Sequence, residues 1–107
     1  MKKDELFERM SAAYQTCLRI VEAKNRDYAS DADPFANFRL IEQFSDGKIS
    51  AEYGILTRCS DKFKRIMNLL DKPNDVADES IDDTINDLCN YLQILKLYRR
   101  SKLDNDE

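Results

Sequence analysis

The chain has 107 residues, which is enough for one domain and too few for two. Hydrophobic residues make up 42% and charged residues 36%, so the composition excludes general disorder and places much charge on exposed helix faces. The formal net charge of −4 provides no electrostatic attraction to duplex nucleic acid or to an anionic membrane, and neither partner is expected.

Residue usage excludes several further classes of protein. Glycine and proline occur only twice each, which favours long helices, and histidine is absent, which excludes His-based metal sites and catalytic triads. Cys17, Cys59 and Cys89 are interpreted as buried free thiols in a reducing cytosol. The charged first ten residues lack the apolar run of a signal peptide, and no segment approaches a membrane span. These features predict a cytoplasmic protein.

The first half of the chain predicts two helices. Apolar residues recur at three- and four-residue spacings over residues 4–25, which indicates an amphipathic helix. A polar stretch that contains Pro34 then breaks the pattern. The aromatic and aliphatic spacing between Phe35 and Phe44 predicts a short second helix that ends near Gly47.

The second half predicts two long helices. The third is expected to begin at Ser50, an N-cap residue, and to end at Pro73. The fourth is expected to begin between Asp75 and Asp78, with acids that suit the helix dipole. Each carries an apolar stripe with steps of three and four residues: Leu56, Cys59, Phe63, Ile66 and Leu70 on the third, and Ile81, Ile85, Leu88, Leu92 and Leu95 on the fourth.

These elements predict an all-α fold. We expect a small helical bundle of three long helices and a short one, with helices three and four as an antiparallel hairpin and helix one alongside. One domain is expected over residues 1–107, with a frayed tail from about residue 101.

An acidic line on helix four is the first candidate functional feature. Glu79, Asp83 and Asp87 follow one another at i, i+4 and i+8, and such like charges destabilise a helix unless cations compensate them. Mg²⁺ prefers hard oxygen ligands of this kind. The line is therefore either a solvated acidic face or a magnesium site, with Asp61 as a further ligand and Asp83 and Asp87 as catalytic residues.

The same side of helix four continues into the apolar and aromatic residues Ile94, Leu97 and Tyr98. Apolar side chains therefore occur on two sides of this helix, and a bundle of three or four helices cannot easily cover both. The sequence accordingly predicts a homo-oligomer.

A basic side of helix three is the second candidate feature. Arg58 and Arg65 lie there with Asp61 between them, and Lys62 lies at the flank. In one interpretation these residues form ordinary i,i+4 pairs such as Asp61 with Arg65. In the other, Arg58, Lys62 and Arg65 neutralise the carboxylates of helix four or bind phosphate oxygens of a ligand.

The polar segment over residues 24–38 is the third candidate feature. Asp27 and Tyr28 are candidates for contact with a base or sugar. Phe35 and Phe38 either stack on a base or complete the core, and the second role is the commoner one for such residues.

Two stretches together are similar to a known family. They comprise KNRDYA and FANF within residues 24–38, and GILTRCSDKFKRIMNLL (54–70) followed by DESIDDTINDLCNYLQIL (78–95). This combination resembles the nucleotide modification associated domain 1 family, whose small helical members are common in bacteriophage genomes. The resemblance covers about residues 20–98 and implies a role in nucleotide or DNA-base modification pathways.

A looser similarity exists to the MazG-type all-α nucleotide pyrophosphohydrolases. Asp83, Asp87 and Tyr91 fit the spacing of their late helix, but Thr84 stands where those enzymes usually carry an acid. The earlier helix has Asp61 and no ExxE pair. By this similarity a magnesium cage is incomplete unless Glu79 and Asp61 supply the missing carboxylates.

Three functions follow as hypotheses. The first is a phage-type protein that binds a nucleotide or nucleotide-derived ligand and hydrolyses its phosphates with Mg²⁺. The second is a non-catalytic sponge that sequesters a cyclic or other nucleotide immune signal and so blocks host anti-phage defence. The third is a structural helical interaction module that binds no nucleotide.

Overall fold

The computed structural model describes residues 1–28, 35–72 and 75–105, without the side chains of residues 25–28, 75–80 and 105. Within this part of the chain there are four α-helices and no strand: α1 (Lys3–Tyr28), α2 (Ala36–Phe44), α3 (Ala51–Leu70) and α4 (Asp75–Asn105). The all-α prediction, with three long helices and a short one, is confirmed. Among the described residues, no helix combines the length and apolar character needed to cross a membrane.

Helices α3 and α4 form the predicted antiparallel hairpin. The Lys62 ammonium lies 3.4 Å from the Asp87 carboxylate, and the Lys102 ammonium lies 3.2 Å from Glu52. Residue numbers therefore rise along α3 as those of the opposing residues fall along α4. This pairing fixes which polar side chains of the two helices meet.

The core lies between these two helices. Ile55 is fully buried and packs with Cys59 and Leu88. Half-buried side chains surround this cluster: Phe38, Ile66, Tyr91, Ile94 and Leu95. Burial of these groups is the main source of fold stability, because helices of this length are marginal on their own.

The apolar stripes predicted for α3 and α4 are wider than the contact between the helices. Cys59 and Leu88 are buried, but Phe63 and Leu92 of the same stripes expose 53% and 43% of their surface. Thr84, which lies outside the predicted stripe, is buried instead. The packed face of α4 is thus rotated relative to the predicted stripe, and one edge of each stripe stays uncovered.

Helices α1 and α4 are longer than the sequence predicts. Helix α1 continues to Tyr28, and α4 continues to Asn105; the frayed tail expected from about residue 101 stays a prediction. As predicted, α1 lies alongside α4: the Asn90 amide donates to the Cys17 carbonyl at 3.1 Å. Residues 3–15 of α1 are all exposed.

The turn after α2 confirms the predicted end near Gly47. The Gly47 N–H donates to the Glu42 carbonyl at 2.8 Å, and the Asp46 N–H donates to the Gln43 carbonyl at 3.3 Å. These two bonds define a Schellman motif, which needs a left-handed residue just after the helix. Asp46 takes that position with a φ of 53°, and Gly47 follows with a φ of 79°.

The start of α3 confirms Ser50 as the N-cap. The Ser50 hydroxyl accepts a hydrogen bond from the Tyr53 N–H at 3.2 Å. A carboxylate oxygen of Glu42 accepts a second bond from the Ala51 N–H at 2.6 Å. Two otherwise unsatisfied N–H groups are therefore capped, and the Glu42 charge also favours the positive end of the helix dipole.

We expect Ser50→Ala to lower the free energy of unfolding by about 1 kcal/mol, because it removes a side-chain N-cap. Urea denaturation followed by circular dichroism measures this change. Ser11→Ala, in the exposed middle of α1, is the matched control and should leave stability unchanged or slightly higher. Equal stability of Ser50→Ala and the wild type would contradict the capping role.

Candidate functional site

A groove with a volume of about 560 Å³ lies where α1 and α2 meet the hairpin. It is lined by Val21, Lys24, Phe35, Asn37, Phe38, Arg58, Asp87, Asn90, Tyr91, Ile94 and Leu97. One wall is apolar and aromatic, and the rest carries charged and amide groups. This combination is typical of small-molecule sites, in which a few polar groups orient a ligand within an apolar cleft.

The aromatic wall is built around Arg58. The rings of Phe38 and Tyr91 contact edge to face, with centroids 6.4 Å apart. The Arg58 guanidinium lies 5.4 Å from the Phe38 centroid and 5.9 Å from that of Tyr91. It also donates to the Tyr91 hydroxyl at 3.5 Å. These cation–π contacts orient the guanidinium, and because it has five N–H donors, most remain for a ligand.

Phe35 has two roles at the edge of this wall. Its ring packs edge to face against Tyr98, with a centroid distance of 5.5 Å, while the residue also lines the groove. Phe38 likewise packs against the core and lines the groove. The two interpretations drawn from the sequence, core residue and ligand contact, are thus compatible for both phenylalanines.

The charged part of the site is centred on Asp87. Lys24 of α1 donates to one carboxylate oxygen at 3.0 Å, and Lys62 of α3 lies 3.4 Å from the other. Two ammonium groups therefore share one carboxylate. Lys24 lines the groove together with the Arg58 guanidinium, whereas Lys62 lines a neighbouring depression on α3. Asp83, one turn earlier on α4, is exposed and offsets part of this charge. The balance favours an anionic group, such as a phosphate, at the lysine end.

The structure brings only some of the predicted site residues together. Asp87, Arg58 and Lys62 lie on the same side of the hairpin. Asp61 and Arg65 instead line a separate, shallow depression of about 480 Å³ on α3, which Lys62 borders. The side chains of Asp27, Tyr28 and Glu79 lie outside the described residues, so their predicted roles stay predictions.

The described side chains include three of the four predicted Mg²⁺ ligands, Asp61, Asp83 and Asp87. Among the described side chains, no group of three or more cysteine, aspartate or glutamate residues is placed to hold a metal ion. Asp87 faces two lysine ammonium groups, which would compete with a cation for its oxygens. Since the Glu79 side chain is not among the described side chains, a magnesium site of Glu79, Asp83, Asp87 and Asp61 stays a prediction.

Several groove residues were not among the predicted ligand contacts; the polar ones are Lys24, Asn37, Asn90 and Tyr91. Lys24 lies seven residues after Cys17, on the face of α1 that packs against α4. A lysine on an otherwise apolar helix stripe is the signal that could have identified it. No comparable signal marks Asn37, because its place depends on how α2 packs.

The thiols of Cys17 and Cys59 are buried, as predicted, whereas Cys89 is exposed, contrary to the expectation for all three. Burial raises the pKa of Cys17, and the nearby Cys89 and Asp87 raise it further. Burial also raises the pKa of Cys59. Both buried groups are therefore protonated, unreactive thiols at neutral pH, and neither is a nucleophile for chemistry in the groove.

Comparison of the sequence with models of protein families, with curated proteins and with solved structures gives no match. The resemblance to the nucleotide modification associated domain 1 family therefore stays a prediction. The chemistry of the groove itself carries the functional proposal that follows.

Proposed function

We propose that this protein binds a nucleotide, or a ligand derived from one, in the groove between α1, α2 and the hairpin. The observation that carries this proposal is a single cleft in which an aromatic wall beneath Arg58 lies beside Lys24 and Asp87, while Lys62 contacts the same carboxylate from the neighbouring depression on α3. A nucleotide has the same two parts, a planar base and an anionic phosphate.

Each part of the ligand has a complementary group in the groove. The base would stack on the face of either Phe38 or Tyr91, whose rings are perpendicular, and the amides of Asn37 and Asn90 offer donors and acceptors for its polar edge. A phosphate would replace Asp87 as the partner of Lys24 or Lys62, or bind the remaining N–H groups of Arg58.

Two versions of this function differ in chemistry. In the first, Mg²⁺ held by the carboxylates of α4 assists hydrolysis of the phosphates, with Asp83 and Asp87 as catalytic residues. In the second, the ligand is held unchanged. The ion pairs of Asp87 with Lys24 and Lys62 favour the second version, because two ammonium groups already occupy the carboxylate oxygens that would coordinate a metal ion.

The biological setting of the second version follows from the resemblance to phage proteins. A phage-encoded protein in the bacterial cytoplasm that sequesters a cyclic or other nucleotide signal would block host anti-phage defence. Such a sponge needs stacking aromatic residues and cationic groups, and it needs no hydrolytic metal site. We also propose that the chain forms a homo-oligomer, which nucleotide binding itself does not require.

Asp87→Asn distinguishes the two versions. If the ligand is only bound, removing one negative charge frees two lysines, and nucleotide affinity should rise roughly threefold to tenfold. Titration calorimetry with and without Mg²⁺ measures the affinity, and mass spectrometry of ligand released by heating shows whether it has changed chemically. Asp83→Asn is the matched control, and its effect should be smaller because Asp83 is exposed and has no lysine partner in the groove.

The hydrolytic version predicts the opposite pattern. Wild-type protein with Mg²⁺ would convert a triphosphate to a monophosphate, and Asp87→Asn would abolish the conversion while its helical content stayed unchanged. Unaltered nucleotide recovered from the wild type in the presence of Mg²⁺ would exclude this version for the ligands tested.

A further inference from the structure

A second surface lies on the opposite side of the hairpin from the groove. We call it the open hairpin face. It consists of six apolar side chains, each with between 41% and 66% of its surface accessible to solvent. They are Leu56, Phe63 and Met67 of α3, and Ile85, Leu92 and Leu103 of α4. Arg58 and Asp87 mark the other flank of the same two helices. Soluble monomers rarely expose contiguous apolar patches of this kind without a partner for them.

The chain exposes more surface than a compact monomer of its mass. The accessible surface is 8642 Å². A compact monomer of this mass exposes about 6,200 Å², so the excess is about 2,400 Å², to which the exposed residues 3–15 of α1 and the open hairpin face both contribute. Obligate homodimers bury on the order of 1,000–2,500 Å² per chain. The radius of gyration, 16.3 Å, is also larger than the roughly 13 Å expected of a compact domain of 107 residues.

We infer that the open hairpin face binds the same face of a second copy, giving a four-helix bundle in which α4 runs antiparallel to α4 of the partner. The two-fold axis passes beside Cys89 of α4 and Ser60 of α3. This inference is independent of the proposed nucleotide site, and it leaves one groove open on each outer side of the dimer.

The positions of the apolar residues support this axis. On α4, Ile85 lies four residues before Cys89 and Leu92 lies three residues after it, so a two-fold axis beside Cys89 brings Ile85 within one residue of direct register with the partner's Leu92. On α3, Leu56 and Phe63 have the same spacing about Ser60. Both helices therefore have apolar contacts centred on one small residue.

The same axis serves both helices, because Ser60 and Cys89 are level with each other in the hairpin. Two contacts bracket that level: Arg58 with Tyr91, and Lys62 with Asp87. An isologous interface requires this kind of self-complementarity. If one residue contacts a second residue of the partner, the second residue of the same copy contacts the first residue of the partner.

Charges at the rim of the face are complementary about the same centre. Asp82 lies seven residues before Cys89, and Lys96 lies seven residues after it. An antiparallel α4 pair therefore places Asp82 close to the partner's Lys96, and the dimer contains two such pairs. A parallel arrangement would instead place like charges together, which disfavours it.

Mass measurement on the full chain tests the inference. Analytical ultracentrifugation from about 1 to 100 μM should give a dimer of about 25 kDa, twice the chain mass of 12.5 kDa. Leu92→Glu should give a monomer of unchanged helical content. Leu40→Glu is the matched control and should stay dimeric, because Leu40 on α2 is exposed to the same 43% and lies outside the face.

Cross-linking and charge exchange locate the axis. A short bismaleimide should link two copies through Cys89, and Cys89→Ser should abolish the link, since Cys17 and Cys59 are buried thiols of raised pKa. Asp82→Lys should weaken dimerisation about tenfold, and adding Lys96→Asp should restore it to within about threefold of wild type.

Three results would overturn the inference. They are a monomeric wild type throughout the concentration range, a Leu92→Glu variant that stays dimeric, or a dimer that is not linked through Cys89 and does not respond to the charge exchange. None of these measurements involves nucleotide, so the inference and the proposed function can fail separately.

Discussion

Arg58→Ala is expected to weaken nucleotide binding at least about tenfold, a loss of about 1.4 kcal/mol or more of binding free energy. The Arg58 side chain lies over the Phe38 and Tyr91 rings and faces the groove, so it is placed to contact both parts of a ligand. Its removal takes away a bidentate phosphate donor and one layer of the aromatic stack. Titration calorimetry of wild type and variant with the same nucleotide measures the difference.

Arg65→Ala is the matched control for this prediction. Arg65 lies on the same helix and is exposed, but it lines the separate depression with Asp61 and not the groove. Its replacement should change the nucleotide affinity by less than about twofold. A loss of affinity that is as large in Arg65→Ala as in Arg58→Ala would place the ligand outside the groove.

Ile55→Ala is expected to lower the free energy of unfolding by about 3 kcal/mol. Ile55 is fully buried between α3 and α4, where it contacts the core around Cys59 and Leu88. The variant loses the transfer free energy of the deleted methyl groups and leaves a cavity. Because a small domain has a total stability of only about 5–15 kcal/mol, this single change should be visible as a large shift of the urea midpoint.

Leu40→Ala provides the comparison for the core variant. Leu40 on α2 is partly exposed, so its truncation should cost less than about 1 kcal/mol. The two variants should be compared at the same protein concentration, since dimerisation adds to the apparent stability. A loss below about 1 kcal/mol for Ile55→Ala would contradict the position of the core.

Local features of the fold could be predicted from the sequence because their causes are local. The periodic spacing of apolar residues located all four helices, and Ser50 and Gly47 marked a helix start and end through hydrogen bonds to near neighbours. The buried edge of each apolar stripe could not be predicted. Phe63 and Leu92 look like core residues in the sequence, and only the rotation of α3 against α4 leaves them exposed.

The candidate site shows the same division between local and tertiary causes. The antiparallel hairpin left open whether Arg58, Lys62 and Arg65 meet the acidic line of α4, and in the structure Lys62 contacts Asp87 while Arg58 lies in the same groove as Asp87. Lys24 was missed because its position depends on how α1 lies against α4. Arg65 lies seven residues after Arg58 on α3. It does not line the groove, because the groove extends only along the part of α3 that α2 also contacts.

Nucleotide binding in the groove can be tested by recovering a ligand from the protein. Purified protein is incubated with nucleoside triphosphates and cyclic oligonucleotides, with and without Mg²⁺; free ligand is removed, and the ligand released by heating is identified by mass spectrometry. The proposal predicts that at least one nucleotide is retained by the wild type and is lost from Arg58→Ala but not from Arg65→Ala. If the folded wild-type protein retained none of them, nucleotide binding would be contradicted, and the protein would be better described as a helical interaction module.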